Sequence, residues 1–145
     1  MAEETPQTYA NHARFVPLFH FVTLPLAMIN LLYSVYRVFQ AFHVESVMAL
    51  IVAFVLTAVA LFSRVNALKA QDRVIRFEER MRMQLLLPDD LKPRINDLTT
   101  GQCVALRFAS DDELPALVKK ALDENADQKT IKQAIQNWRP DFQRV

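Results

Sequence analysis

The sequence predicts an all-α protein: a two-helix transmembrane hairpin, a long juxtamembrane helix and a small cytoplasmic helical domain. Three observations predict it. Gly101 is the only glycine in 145 residues, so the positive-φ positions of tight hairpins and the close backbone approach of phosphate loops are not available. Two long stretches, "FVPLFHFVTLPLAMINLLYSVY" and "SVMALIVAFVLTAVALFS", hold no formal charge. The remaining sequence is rich in strong helix formers and places apolar residues three and four apart.

Residues 1–14 form a polar tail. "MAEETPQTYANH" is acidic where a cleavable signal starts positive, so an inserted first stretch is expected to be retained. The first span covers about residues 15–36 and the second about 46–63, against the roughly 17–25 apolar residues that a spanning helix needs. Neither stretch repeats a polar face, as an amphipathic soluble helix would. Phe15, Phe19 and Phe21 gather at one end of the first span and Tyr33, Tyr36 and Phe39 at the other, a loose interfacial belt. The short join Arg37–Glu45 makes the spans an antiparallel pair. Arg64, Lys69, Arg73, Arg76, Arg80 and Arg82 follow the second span, whereas the join offers only Arg37. Both termini are therefore expected in the cytoplasm.

Few polar groups lie at depth. Pro25 is expected to kink the first span. Ala49, Ala53 and Thr57 repeat every four residues, a small-residue stripe that lets another helix approach closely. It could pack the two spans together, with Asn30 hydrogen-bonding across them, or dock on a partner.

Residues 64–87 hold six basic and three acidic side chains and continue as a helix to Pro88. Val74, Phe77, Met81 and Leu85 form a narrow apolar stripe, and Asp72–Arg76 and Glu78–Arg82 are spaced as supporting ion pairs. Such a stripe wants a cover, from this chain's own domain or from another protein. Residues 88–145 form the helical domain. "PDDLKPRINDL" reads as a short helix with acids in its first turn, and "TTGQCVALRF" as a central one. Ser110 and Glu113 form a capping box for the next, whose apolar face is Leu114, Leu117, Val118, Ala121 and Leu122. Asp127 caps the last, with the face Ile131, Ala134, Ile135 and Trp138, ended by Pro140.

Chemistry is sparse. His20 lies inside the first span, where an imidazole could ligate a haem or chlorophyll. His43 is 23 residues further on, about 34 Å along a helix, so the two cannot share a metal within one chain. His12 is likewise too far from His20. With one cysteine, Cys103, neither a disulfide nor a zinc site is expected. Asp111, Asp112 and Glu113 suit a helix start and not catalysis. Residues 88–145 are net −1, the wrong field for nucleic acid. Arg139 and Arg144 are expected to seal the end of the domain beside Trp138.

"TPQTYANHARFVPLFHF", "QDRVIRFEERMR", "LRFASDDELPALV" and "AIQNWRPDFQRV" resemble a family of small bacterial two-span inner-membrane proteins, a domain of unknown function. The resemblance covers nearly the whole chain and implies a bacterial inner-membrane location, with no activity, cofactor or catalytic residue. The expectation is a non-catalytic accessory or scaffolding subunit of a larger membrane complex, with other subunits as partners and no small-molecule substrate. The helix-packing or partner-docking residues would be Asn30, Ala49, Ala53, Thr57, Val74, Phe77, Met81 and Leu85. The alternatives are a haem- or chlorophyll-binding small subunit with His20 as axial ligand, and a self-assembling membrane scaffold.

Overall fold

A computed structural model describes residues 7–11 and 16–141. A π-helical turn, Leu18–Thr23, leads into α1 (Leu24–Gln40); α2 (Val44–Leu86) runs for 43 residues. A 3-10 helix (Lys92–Asp97) and three short helices follow: α3 (Thr100–Leu106), α4 (Leu114–Asp123) and α5 (Gln128–Ala134). There is no strand among the described residues, only one isolated bridge between Ala109 and Trp138. The chain is therefore all-α. Its contacts divide it into a hairpin unit, Arg14–Leu68, and a second unit made of Met1–Ala13 and Lys69–Arg144. Leu18–Gln40 and Val44–Leu86 are each long and apolar enough to cross a membrane.

Pro25 explains the π turn. Proline has no N–H to give and its ring crowds the carbonyl four residues back. The chain widens by one residue per turn just before it, the Leu24 N–H reaching Phe19 O. The Thr23 hydroxyl donates to Leu18 O at 3.1 Å.

Within the hairpin unit the sheltered positions of α1 include Leu24, Ala27, Leu31, Ser34 and Val38, and those of α2 Ser46, Leu50, Ala53, Thr57, Ala60, Arg64 and Ala67. Steps of three and four alternate in both, the spacing of a coiled-coil seam. The three-residue turn at 41–43 uses no glycine. Ser46 Oγ accepts the His43 N–H at 3.1 Å and lies 2.8 Å from the carbonyls of Ala41 and His43.

In the second unit, Met83 and Leu87 turn one face of α2 into a core with Leu91, Ile95, Leu106, Phe108, Leu114, Val118 and Ile131, and Ile75 is buried two turns earlier on the same face. Burial at 75, 79, 83 and 87 recurs every four residues. Gln102, buried, holds this core's polar joint. Its Oε1 accepts from the Thr99 N–H at 2.9 Å, while its Nε2 donates to Ala121 O and Ala126 O. Thr99 completes the capping box of α3. Asp127 caps α5 through the Thr130 N–H at 2.7 Å. Between α4 and α5, Asn125 takes φ 46°, a left-handed position that asparagine tolerates better than most residues.

Several expectations are corrected here. Residues 92–97 form a 3-10 helix with no acid in its first turn; Asp89 stands before it and pairs with its first residue, Lys92, at 2.7 Å. The box at Ser110 is half made: Glu113 Oε1 accepts the Ser110 N–H at 3.4 Å, but the Ser110 hydroxyl is buried without a hydrogen-bond partner. Pro115 in the first turn sets the start of α4 at Leu114 instead. The last helix stops at Ala134, well before Pro140. The Glu113 carboxylate draws off the amides of Gln136 and Asn137 at 3.2 and 3.1 Å. Ser110 and Arg139 then bond across the bridge to Asn137 O and Phe108 O, and Trp138 stacks at 5.1 Å on Phe108.

Candidate docking surface

The residues expected to pack or dock fall in two groups. In the hairpin, Ala53 and Thr57 are buried at the seam. The Thr57 hydroxyl donates to Ala53 O at 2.8 Å, and its oxygen lies 3.5 Å from Ala27 O on α1. Ala49 and Asn30 are exposed. Asn30 makes no side-chain hydrogen bond across the helices; its backbone carbonyl accepts from Ser34 Oγ at 2.8 Å. A seam that alternates threes and fours leaves the four-residue ladder at Ala49, and Ser34 and Ser46 occupy the buried polar positions instead.

In the second unit, Val74, Phe77, Met81 and Leu85 are 55%, 65%, 55% and 83% exposed. The described residues leave them bare, because the buried face of α2 is Ile75–Glu79–Met83–Leu87. At 100° per residue the two faces lie on opposite sides of the helix.

Beside the stripe runs a groove of about 1130 Å³, whose lining includes Val74, Met81 and Leu85 from α2 and Arg107, Asp111 and Arg139 from the segments after it. Its floor is ionic. Arg82 Nη1 donates to Glu79 Oε2 at 3.0 Å, Nη2 to Asp111 Oδ1 at 2.6 Å and to Ala109 O at 2.7 Å. Arg139 Nη1 stands 4.0 Å from Glu79 Oε1. Burial pushes the Glu79 carboxyl above the usual carboxylate range, against the pull of Arg82 and Arg139. Arg107 pairs with Asp141 at 3.3 Å and lies over the Phe108 ring at 4.5 Å. The i,i+4 pairs expected from the sequence are not the ones formed. Arg82 turns to Glu79 and Asp111 in place of Glu78, and Arg76 reaches Thr100 Oγ1 at 3.5 Å. This network escaped sequence reasoning, although Glu79 at the centre of an apolar four-residue ladder was its signal.

The candidate ligands lie apart. His20 Nδ1 is 3.1 Å from Val16 N and 2.9 Å from Val16 O, its ring edge-on to Phe19. His43 is exposed in the turn. His12 and Arg144 lie outside the described residues. Cys103 is buried, which pushes its thiol up. Among the described residues no three His, Cys, Asp or Glu side chains gather as a metal site.

A family model, that of the family of unknown function DUF6526, matches residues 1–145. The chain belongs to this family. The DUF6526 match spans the hairpin and the second unit together. No curated protein and no solved structure matches the chain.

Proposed function

We propose that this DUF6526 chain is a non-catalytic accessory or scaffolding subunit of a bacterial inner-membrane complex, with both termini in the cytoplasm. One observation carries the reading: the hairpin is apolar outside and small or polar inside. Phe21, Leu26, Ile29, Leu32, Phe54, Leu56 and Phe62 point outward and are exposed, while Ser34, Ser46, Ala53 and Thr57 are buried. An apolar surface of this extent suits lipid and not water. The basic residues that follow residue 63 favour a cytoplasmic second unit, and the motif resemblance supports the bacterial inner membrane. The bare stripe from Val74 to Leu85 supports a binding role over a chemical one.

The test is extraction of the native chain in mild detergent, followed by native electrophoresis and mass spectrometry. Stoichiometric companions in a large band are the expected result. A chain that alkaline carbonate washes off the membrane, or one that runs free of any companion or second copy, would overturn the reading.

A further inference from the structure

We propose that the stripe on α2 is covered by the same stripe of a second copy, in a short parallel coiled coil closed by Arg73–Glu78 ion pairs. The inference rests on the membrane reading above for its geometry: copies inserted with the same orientation present α2 side by side and pointing the same way. Three observations choose a second copy over another partner.

The first is register. Val74 and Met81 fall at a positions and Phe77 at d. The next d position is Gln84, with Leu85 beside it at e, so the seam is apolar over Val74, Phe77 and Met81 and Leu85 flanks its end. In a parallel two-fold pair Val74, Phe77 and Met81 then each face their own copy, apolar against apolar.

The second is charge. In this register Arg73 is at g and Glu78 at e, five positions on. That is the offset at which g of one parallel helix meets e of its neighbour. Arg73 and Glu78 are both exposed, and neither has an ion-pair partner among the described residues. Two-fold symmetry satisfies both charges twice over with no other residue recruited.

The third is room. The core packs against the face at Met83 and Leu87, opposite the stripe. On the stripe's flank no described residue fills the groove beside Val74, Glu78, Met81 and Leu85, so a neighbouring helix can approach. Twelve residues, Val74 to Leu85, make a seam of about 18 Å. Free in water such a seam would be weak; confinement to one membrane raises the effective concentration of the second helix.

The full chain in lipid nanodiscs and in mild detergent, sized by light scattering across a dilution series, gives the test. Wild type is expected to dimerise. Arg73→Glu and Glu78→Arg should each weaken the dimer by about tenfold, and the double swap should restore it, a rescue that misfolding cannot imitate. Met81→Cys should form a disulfide-linked dimer on mild oxidation, while Lys119→Cys, exposed on α4, should not. A monomer at all concentrations, single reversals without effect, or a swap that fails to rescue would each overturn the proposal. A monomer that still travels with other subunits would do so while leaving the accessory reading intact. Extraction of the chain by carbonate would overturn that reading, and with it the parallel geometry.

Discussion

Replacing Arg82 with alanine tests whether the ionic floor of the groove holds α2 to the core. The wild-type guanidinium, with its side chain 12% exposed, meets Glu79 at 3.0 Å and the Ala109 carbonyl at 2.7 Å. Truncation leaves Glu79 buried with only Arg139, 4.0 Å away and largely exposed. Removing one partner of a buried pair costs about 3–5 kcal/mol, because the other charge stays desolvated. The contact with Asp111, which is 63% exposed, adds at most about 1 kcal/mol. A loss near the lower bound, about 3 kcal/mol, is expected, since Glu79 can escape part of the cost by taking a proton. Cys103 is a built-in reporter: it is the only cysteine, fully buried, with its thiol pushed up by that burial. Thiol labelling of the full chain therefore follows opening of this unit, and about 3 kcal/mol raises its rate about a hundredfold. The combination Glu79→Leu with Arg82→Met removes both charges and should cost much less, about 1 kcal/mol. An Arg82→Ala chain that labels within about threefold of wild type, or a double variant as labile as the single one, would refute the argument.

Three further outcomes are expected. Gln102→Ala takes the side-chain donor from the Ala126 carbonyl, leaves the Ala121 carbonyl with the Ala126 N–H, and breaks the Thr99 box; it should cost about 1–3 kcal/mol, read by the same Cys103 labelling, against about 1 kcal/mol for Thr99→Ala. Ala53→Leu overfills the hairpin seam, where Ala53 is 1% exposed, and should destabilise the helix pair by about 1–3 kcal/mol; Ala49→Leu, on the exposed side, should be neutral, both measured by amide exchange along α1 and α2. Glu79 and Asp127 should pull stability in opposite directions with pH. The folded pKa of Glu79 is raised, so its contribution falls as pH rises from the ordinary carboxylate value through the folded one. That of Asp127 is lowered by the Thr130 hydrogen bonds, so its contribution is present above the ordinary value and lost as pH falls through the folded one. Amide exchange in α3 across mildly acidic pH should lose the first slope in Glu79→Gln and the second in Asp127→Ala.

Charge-free length made the hairpin legible in the sequence, and Asp127 with its following helix was legible from capping. The failures have specific causes. Ala49, Ala53 and Thr57 look like a ladder because small residues repeat there, yet a seam between two α-helices steps by three and four, and this drops Ala49. Apolar counting along residues 64–87 finds Val74, Phe77, Met81 and Leu85. The face that meets the core is interrupted by a carboxylate at Glu79 and reads as polar unless its cation, Arg82, is known to bend back to it. The early end of α5 has no local signal at all. It is set by Glu113, 23 residues before Gln136, and by Trp138 finding Ala109 across a bridge; such non-local choices lie outside any periodicity.

The two faces of α2 are linked in a way that joins stability to assembly. The apolar contacts of Met83 and Leu87 bind the helix but are directionless, and by themselves would tolerate a roll about its axis. Arg82 removes that freedom: its fork is fixed at once to Glu79 on the same helix and to Asp111 and Ala109 on the segment before α4. A roll of one residue, 100°, would carry the stripe from the open side to the core's flank and part Arg73 from its g position. Arg82→Ala should therefore weaken pairing of two copies by loosening how the stripe is presented, although Arg82 itself is not in the seam. Asp111→Ala, which keeps the Glu79 and Ala109 contacts, should leave pairing within about twofold of wild type. Light scattering of both variants in nanodiscs decides it. Equal dimerisation in Arg82→Ala and wild type would mean that apolar packing alone orients the helix, and that the ionic floor serves the groove and not the stripe.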